Sequence, residues 1–204
     1  MMENAPTRSA LLRAREERQV MGEGFRFLDE KRLLLAAEMA RQFEHYRRVR
    51  TQWLQMQQEA VLSLRQALSR HGLQGLQVQA AAADEEVVIQ REVRHFFGVV
   101  LLDAVSLPPG QGEGSAGEAL NRSPESRLLQ QTFAHLVRIS AELAALSGNV
   151  QRLLAEYKRT ERRARALENV LLPELEQGIH AMELHMEEME QEEAVRVRLK
   201  RVND

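Results

Sequence analysis

A chain of 204 residues that is 28% charged, only 4% aromatic, close to neutral at a net charge of -2 and free of cysteine lacks the large rings of a compact core and is rich in helix-forming residues. The charge balance excludes a general nucleic-acid binder, which needs a basic excess to neutralise phosphates, and the missing cysteines exclude disulfides, thiolate metal sites and thiol nucleophiles, which fits a reducing compartment. No apolar run reaches the ~18 residues of a membrane span, and Arg13, Arg15, Glu16, Glu17 and Arg18 break up the opening segment where a signal peptide is apolar, so a cytoplasmic protein with no direct membrane insertion is expected.

The first predicted element is a long helix over residues 7–71. Pro6 and Thr7 supply its start, with the Thr7 hydroxyl placed to accept from an orphan amide. Apolar residues then recur with heptad spacing: Leu11, Phe25, Met39, Tyr46, Trp53, Ala60 and Ala67 at one position, and Ala14, Met21, Leu28, Leu35, Val49 and Met56 at the other. Arg18, Arg32, Gln42 and Ser63 interrupt this seam as polar residues that can pin register. Gly22 and Gly24 cost about 1 kcal/mol each against Ala inside a helix, marking a bend or a close approach. The helix is expected to end near His71 and Gly72.

Residues 72–122 lose the heptad and read as a middle hairpin domain with a flexible glycine-rich loop. Two β-branched runs, Val87 to Ile89 and Val99 to Val105, flank Phe96, Phe97 and Gly98 and predict a strand pair. Such a pair is marginal alone and has to lean on something larger. Pro108, Pro109 and the glycines that follow are loop by composition.

Ser123 and Pro124 give N-cap and first helical position for a second long helix over residues 123–200. Its seam reads Leu129, Leu136, Leu143, Val150, Tyr157, Ala164 and Leu171, with Ile139, Leu146, Leu153 and Leu167 three residues behind, far more than the three or four heptads that define a coiled coil. At ~1.5 Å per residue, roughly 70 residues make a rod of about 105 Å, which needs a partner along its length. Pro173 removes a backbone donor. Beyond it Leu175, Ile179, Met182, Met186 and Met189 run one residue out of phase, so a kink and a skip coincide.

These elements predict a mostly all-α fold: a long antiparallel two-helix coiled coil with a small β-hairpin-containing middle domain. Phe25, Met39, Tyr46, Trp53, Leu143, Leu153, Tyr157, Leu167 and Leu171 are its seam, and the larger of these are expected to be buried between the helices. An antiparallel hairpin also brings the basic run Arg8, Arg13, Arg15 and Arg18 to the same tip as Arg196, Arg198, Lys200 and Arg201.

No catalytic constellation emerges. Gly112, Gly114 and Gly117 match the dinucleotide fingerprint by letter, but that motif joins a strand directly to a helix in a βαβ unit, and this stretch follows two prolines with no parallel sheet. Glu176 with His180, and His185 with Glu188, stand one turn apart, as solvated helix faces commonly provide, without the matching Glu-x-x-His of a second helix. His45, His71, His95 and His135 are scattered with no nucleophile spacing. No cofactor or metal is expected.

The stretch Arg162-Arg163-Ala164-Arg165-Ala166-Leu167-Glu168-Asn169-Val170-Leu171-Leu172-Pro173-Glu174-Leu175-Glu176 resembles the signature of the D subunits of the V-type and archaeal-type rotary ATPases. Pro6-Thr7-Arg8 with Leu11 and Leu12 is similar to that family's opening, Phe27-Leu28-Asp29-Glu30-Lys31-Arg32 to its second block, and Phe97-Gly98-Val99 to its hairpin strand. Departures stand at Ala164, Arg165, Gly178, Ala194 and Val195. The resemblance implies a non-catalytic central-stalk rotor inside the ring of catalytic A and non-catalytic B subunits, at the cytoplasmic face of the membrane. Its other end would carry the small F subunit and rest on the membrane-ring cap subunit, coupling ATP hydrolysis or synthesis to proton or sodium translocation. On this reading the two basic runs are the ring-contact tip. Val61, Leu62, Leu64, Leu68 and Val137, apolar residues outside the seam that need a cover, mark the contact with the F subunit. A secretion-type ATPase stalk or a generic coiled-coil adaptor is the alternative.

Overall fold

In a computed structural model, residues 7–78, 90–106 and 123–203 are described; Pro6, the Val87 to Ile89 run and the glycine fingerprint lie outside them. Helix α1 spans Arg8–Val78, strands β1 and β2 span Gln90–Phe96 and Val99–Ser106, and helices α2 (Pro124–Ala166) and α3 (Leu172–Asn203) are joined by a π-helical turn at Leu167–Leu171. The fold is mostly helical, with two long packed helices and a two-stranded antiparallel hairpin between them in sequence. Both helix starts are capped. Thr7 Oγ1 accepts from the Ala10 amide at 3.2 Å and Ser123 Oγ from the Ser126 amide at 3.2 Å, each satisfying a donor of the first turn. Helical geometry in α1 is broken at Gly72, whose φ of 67° and ψ of 171° belong to a region that L side chains avoid.

The described residues form two compact units, one within Met1–Leu34 and Tyr157–Asp204, the other within Leu35–Glu156. In the second unit the buried line is Leu35, Val49, Ala60 and Ala67 from α1 with Ala145, Leu146 and Leu153 from α2, at the positions that heptad counting assigns to the seam or beside it. Of the expected seam residues here, Leu153 is fully buried, whereas Met39, Tyr46, Trp53 and Leu143 are half-buried. Two helices cover only the line between them, so larger side chains beside it keep part of their surface in solvent. Trp53 is one of these, its indole nitrogen donating to Ser140 Oγ at 2.8 Å. The polar interruption at Ser63 is also satisfied: its hydroxyl donates to the Ala60 carbonyl and lies 2.9 Å from that of Thr132.

In the first unit Leu11, Ala14 and Ile179 form a small core with Leu175, Met182 and Met186 packed against it. Phe25, Tyr157 and Leu167 are half-buried, and Ala164 is buried. Leu171 departs from expectation: it is 41% exposed, and Leu172 is the half-buried residue instead. The cause is the π-turn, in which the Leu172 amide donates back to the Leu167 carbonyl, five residues away rather than four. One extra residue is held there. The seam that reached Leu167 resumes at Leu172, Leu175 and Ile179, and the skip beside Pro173 is this turn.

The hairpin turns through Phe97 (φ 46°) and Gly98 (φ 85°), a two-residue loop that needs positive φ at both positions to match strand twist. Pairing runs Phe96↔Val99 and Arg94↔Leu101, with an irregularity between Glu92 and Val93 that leaves Asp103 without a cross-strand partner. Val99 and Leu101 are buried while Val93 and Val100 are exposed, so one face of the strand pair packs and the other does not.

Truncation separates the two leucines of interest. Leu153→Ala is expected to cost ~2–5 kcal/mol as a fully enclosed side chain. Leu171→Ala should stay within about 0.5 kcal/mol as a surface change. Chemical denaturation of the two variants checks the assignment, and a large loss at Leu171 would place it back in the seam.

Candidate functional site

Among the described residues, the most highly organised polar group lies where the hairpin meets the helices. Glu38 on α1 is only 9% exposed. Its Oε1 accepts from Arg41 Nη2 at 2.7 Å, Gln42 Nε2 at 2.9 Å and Arg94 Nη2 on β1 at 2.9 Å, and its Oε2 accepts from Arg41 Nε at 2.9 Å. Gln42 Oε1 in turn receives Asn149 Nδ2 from α2 at 3.4 Å. Asn149, fully buried, donates through Nδ2 to the Leu102 carbonyl at 2.8 Å, and its Oδ1 accepts from the Leu102 amide at 2.9 Å and from Arg152 Nη2 at 2.8 Å. The Asn149 amide thus stands in for a neighbouring strand, satisfying the free edge of β2. Arg94, Glu38, Gln42, Asn149 and Leu102 form one line of hydrogen bonds that ties both strands to both helices.

The electrostatics follow. The Arg41 hydrogen bonds lower the Glu38 pKa from 4.5 to about 2; burial works against this, and the Gln42 and Arg94 contacts add to the lowering. Farther along α1, Arg70 pairs with Glu125 of the first turn of α2, and His71 Nε2 lies 2.6 Å from Ser123 Oγ. The Glu125 pKa is lowered by its own backbone amide first and by Arg70 second.

None of Glu38, Asn149, Arg94 or Leu102 stands out by heptad counting, and Gln42 reads there as an interruption only. The one available signal is three polar residues, Glu38, Gln42 and Asn149, on or beside a seam otherwise apolar.

The terminal basic residues lie differently from the expected cluster. Arg8 pairs with Glu190 at 2.7 Å, Arg15 with Glu183 at 2.6 Å and Arg18 with Glu176 at 3.1 Å across the first unit, so that run faces a heptad-spaced row of carboxylates rather than Arg196 and Arg198. Arg196 sits 3.8 Å from Glu192 on its own helix. Arg13 and Arg198 are exposed, and the side chains of Lys200 and Arg201 lie outside the described set. All three cross-helix pairs are solvated, which limits each to about 1 kcal/mol or less. Among the residues expected to meet a small partner protein, Val61, Leu62 and Val137 are 42%, 56% and 45% exposed, and Leu64 and Leu68 are half-buried.

Glu176, one of the carboxylates weighed for a metal, is engaged by Arg18, and His185 Nδ1 lies 3.8 Å from Glu188. Among the described residues no group of three or more His, Cys, Asp or Glu side chains is placed to hold a metal ion, and no helix is long and apolar enough to cross a membrane.

Paired antiparallel helices with a β-hairpin seated on them by a buried polar line define a helical-pair protein with a docked hairpin. A profile of the family described as the D subunits of ATP synthase matches residues 10–204. The chain is 29% identical to the D subunit of the A-type ATP synthase of Methanopyrus kandleri, over 98% of this chain and 85% of that one. It is 27% identical to the D subunit of the V-type ATP synthase of Thermotoga neapolitana, covering 97% and 96%, and 28% identical to that of Anaeromyxobacter dehalogenans, covering 97% and 95%. The chain belongs to the family of V/A-type ATP synthase D subunits.

Two outcomes test the polar line. Asn149→Leu keeps the volume but strands the Leu102 amide and carbonyl, each at about 1–3 kcal/mol; thermal unfolding should drop by several degrees, with faster hydrogen exchange at Leu102. For Glu38 the folded pKa lies below the unfolded one, so its contribution is complete above pH 4.5 and disappears as pH falls toward 2. That shift corresponds to about 3 kcal/mol. Urea titrations of Glu38→Gln and the natural chain should therefore differ at pH 7 and converge near pH 2.

Proposed function

We propose that this chain is the central-stalk rotor of a V/A-type ATP synthase, peripheral at the cytoplasmic face of the membrane and without catalytic chemistry of its own. It couples ATP hydrolysis or synthesis in a ring of A and B subunits to proton or sodium translocation, carries the F subunit and rests on the membrane-ring cap subunit. The observation that carries this reading is the family match along residues 10–204, joined to a chain whose organised groups tie its own elements together. Nucleotide chemistry belongs in this reading to the A and B subunits.

The exposed terminal pairs support a mechanical role. A shaft that meets several equivalent ring positions in turn works with contacts that exchange readily, and solvated Arg–Glu pairs are of that kind. We assign the ring-facing tip to Arg8, Arg13, Arg15, Arg18, Arg196, Arg198, Lys200 and Arg201, and the contact with the F subunit to Val61, Leu62, Leu64, Leu68 and Val137, three of which expose a large share of their apolar surface.

Removing residues 197–204 is the decisive test. Among the described residues, buried side chains of α3 end at Ile179, with Met186 the last packed against that core, so folding and assembly should survive and the melting temperature should not move. Coupling should fall in part, seen as ATP hydrolysis retained with ion pumping reduced, the two being measured separately on the reassembled complex. Complete loss of assembly would show the tip to be an anchor and not a bearing.

A further inference from the structure

The oddity of the first unit is the π-turn at Leu167–Leu171, which buries none of its residues and leaves the apolar side chains of Val170 and Leu171 48% and 41% exposed. An extra residue is held there, and two consecutive leucines, Leu171 and Leu172, stand at its end.

We propose that these features form a sliding register joint: the extra residue moves one turn toward the C-terminus, and Leu171 replaces Leu172 in the seam. The sequence fits both positions. With the π-turn where it stands, the seam reads Leu167, Leu172, Leu175 and Ile179; moved one turn, it reads Leu167, Leu171, Leu175 and Ile179. A leucine fills the place either way, so the hydrophobic contact is conserved between the two states. Pro173 has no amide hydrogen, so passing the extra residue beyond it breaks no bond donated there. Glu168 and Asn169, whose carbonyls are the acceptors nearest that missing donor, are exposed and have water available. Residues outside the joint keep their phase, because Leu167 and Leu175 occupy the seam in both states.

The absence of cysteine makes the joint directly readable. Leu171→Cys, Leu172→Cys and Ile179→Cys place single thiols at the exposed, exchanging and fixed seam positions of the full chain, and their rates of labelling by a maleimide are compared. The thiol at 172 is expected to react within about tenfold of that at 171 and about a hundredfold faster than that at 179, because it visits the exposed state without general opening. Combining Leu172→Cys with Leu171→Asn removes the leucine that would enter the seam in the moved state and should slow position 172 about tenfold. Hydrogen exchange on the unsubstituted chain guards against a substitution that loosens the helix by itself: amides of residues 172, 174 and 175 should exchange ahead of those of 179–186. A thiol at 172 as slow as that at 179, a rate indifferent to Leu171→Asn, or uniform exchange across 172–186 would each overturn the joint and leave a static π-turn.

Discussion

One buried carboxylate governs how the hairpin is seated. Glu38 is removed from water and held ionised by Arg41, Gln42 and Arg94, and it joins β1 to α1 as Asn149 joins β2 to α2, with Gln42 linking the two. In a low-dielectric setting such a line is strong when every member is satisfied and worse than an apolar contact when one is missing. Here Gln42 supplies a donor to Glu38 and an acceptor to Asn149, so its amide orientation is set from both sides. A two-stranded ribbon, marginal on its own, gains from this a defined position in addition to the burial of Val99 and Leu101.

The line also explains why the helix pair tolerates polar residues on its seam. An apolar side chain at position 42 would take one donor from Glu38 and one acceptor from Asn149. The helices give up some hydrophobic burial at this point to specify where the hairpin sits, whereas the ion pairs near the termini specify little. Those pairs are solvent-exposed and weaken with salt; the Glu38 carboxylate is buried and its contacts are screened less.

Periodic features are legible in the sequence because they are local. Heptad spacing locates the buried line through Leu35, Val49, Ala60, Ala67 and Leu153, the caps at Thr7 and Ser123 follow from residue type, and Phe97 with Gly98 marks the hairpin turn. The polar line is not legible, because Arg94 and Glu38 are 56 residues apart and Asn149 and Gln42 are 107 apart, and no spacing rule connects them. The pairing of Arg8 and Arg15 with Glu190 and Glu183 escapes notice for a related reason: which residues face across two helices depends on register, which composition does not contain. Leu171 is misplaced because counting in sevens assumes α-geometry throughout, although the phase change beyond Pro173 is visible.

The extra residue at the π-turn bears on how this chain is compared with others. A homologous helix of uninterrupted α-geometry carries one residue fewer between the two stretches of seam, and a correct alignment then opens a single-position gap within Leu167–Leu171. Closing that gap for the sake of a continuous match shifts every equivalence on one side by about 100° around the helix axis. Buried positions are then matched with solvent-facing ones, although the identities themselves look unremarkable.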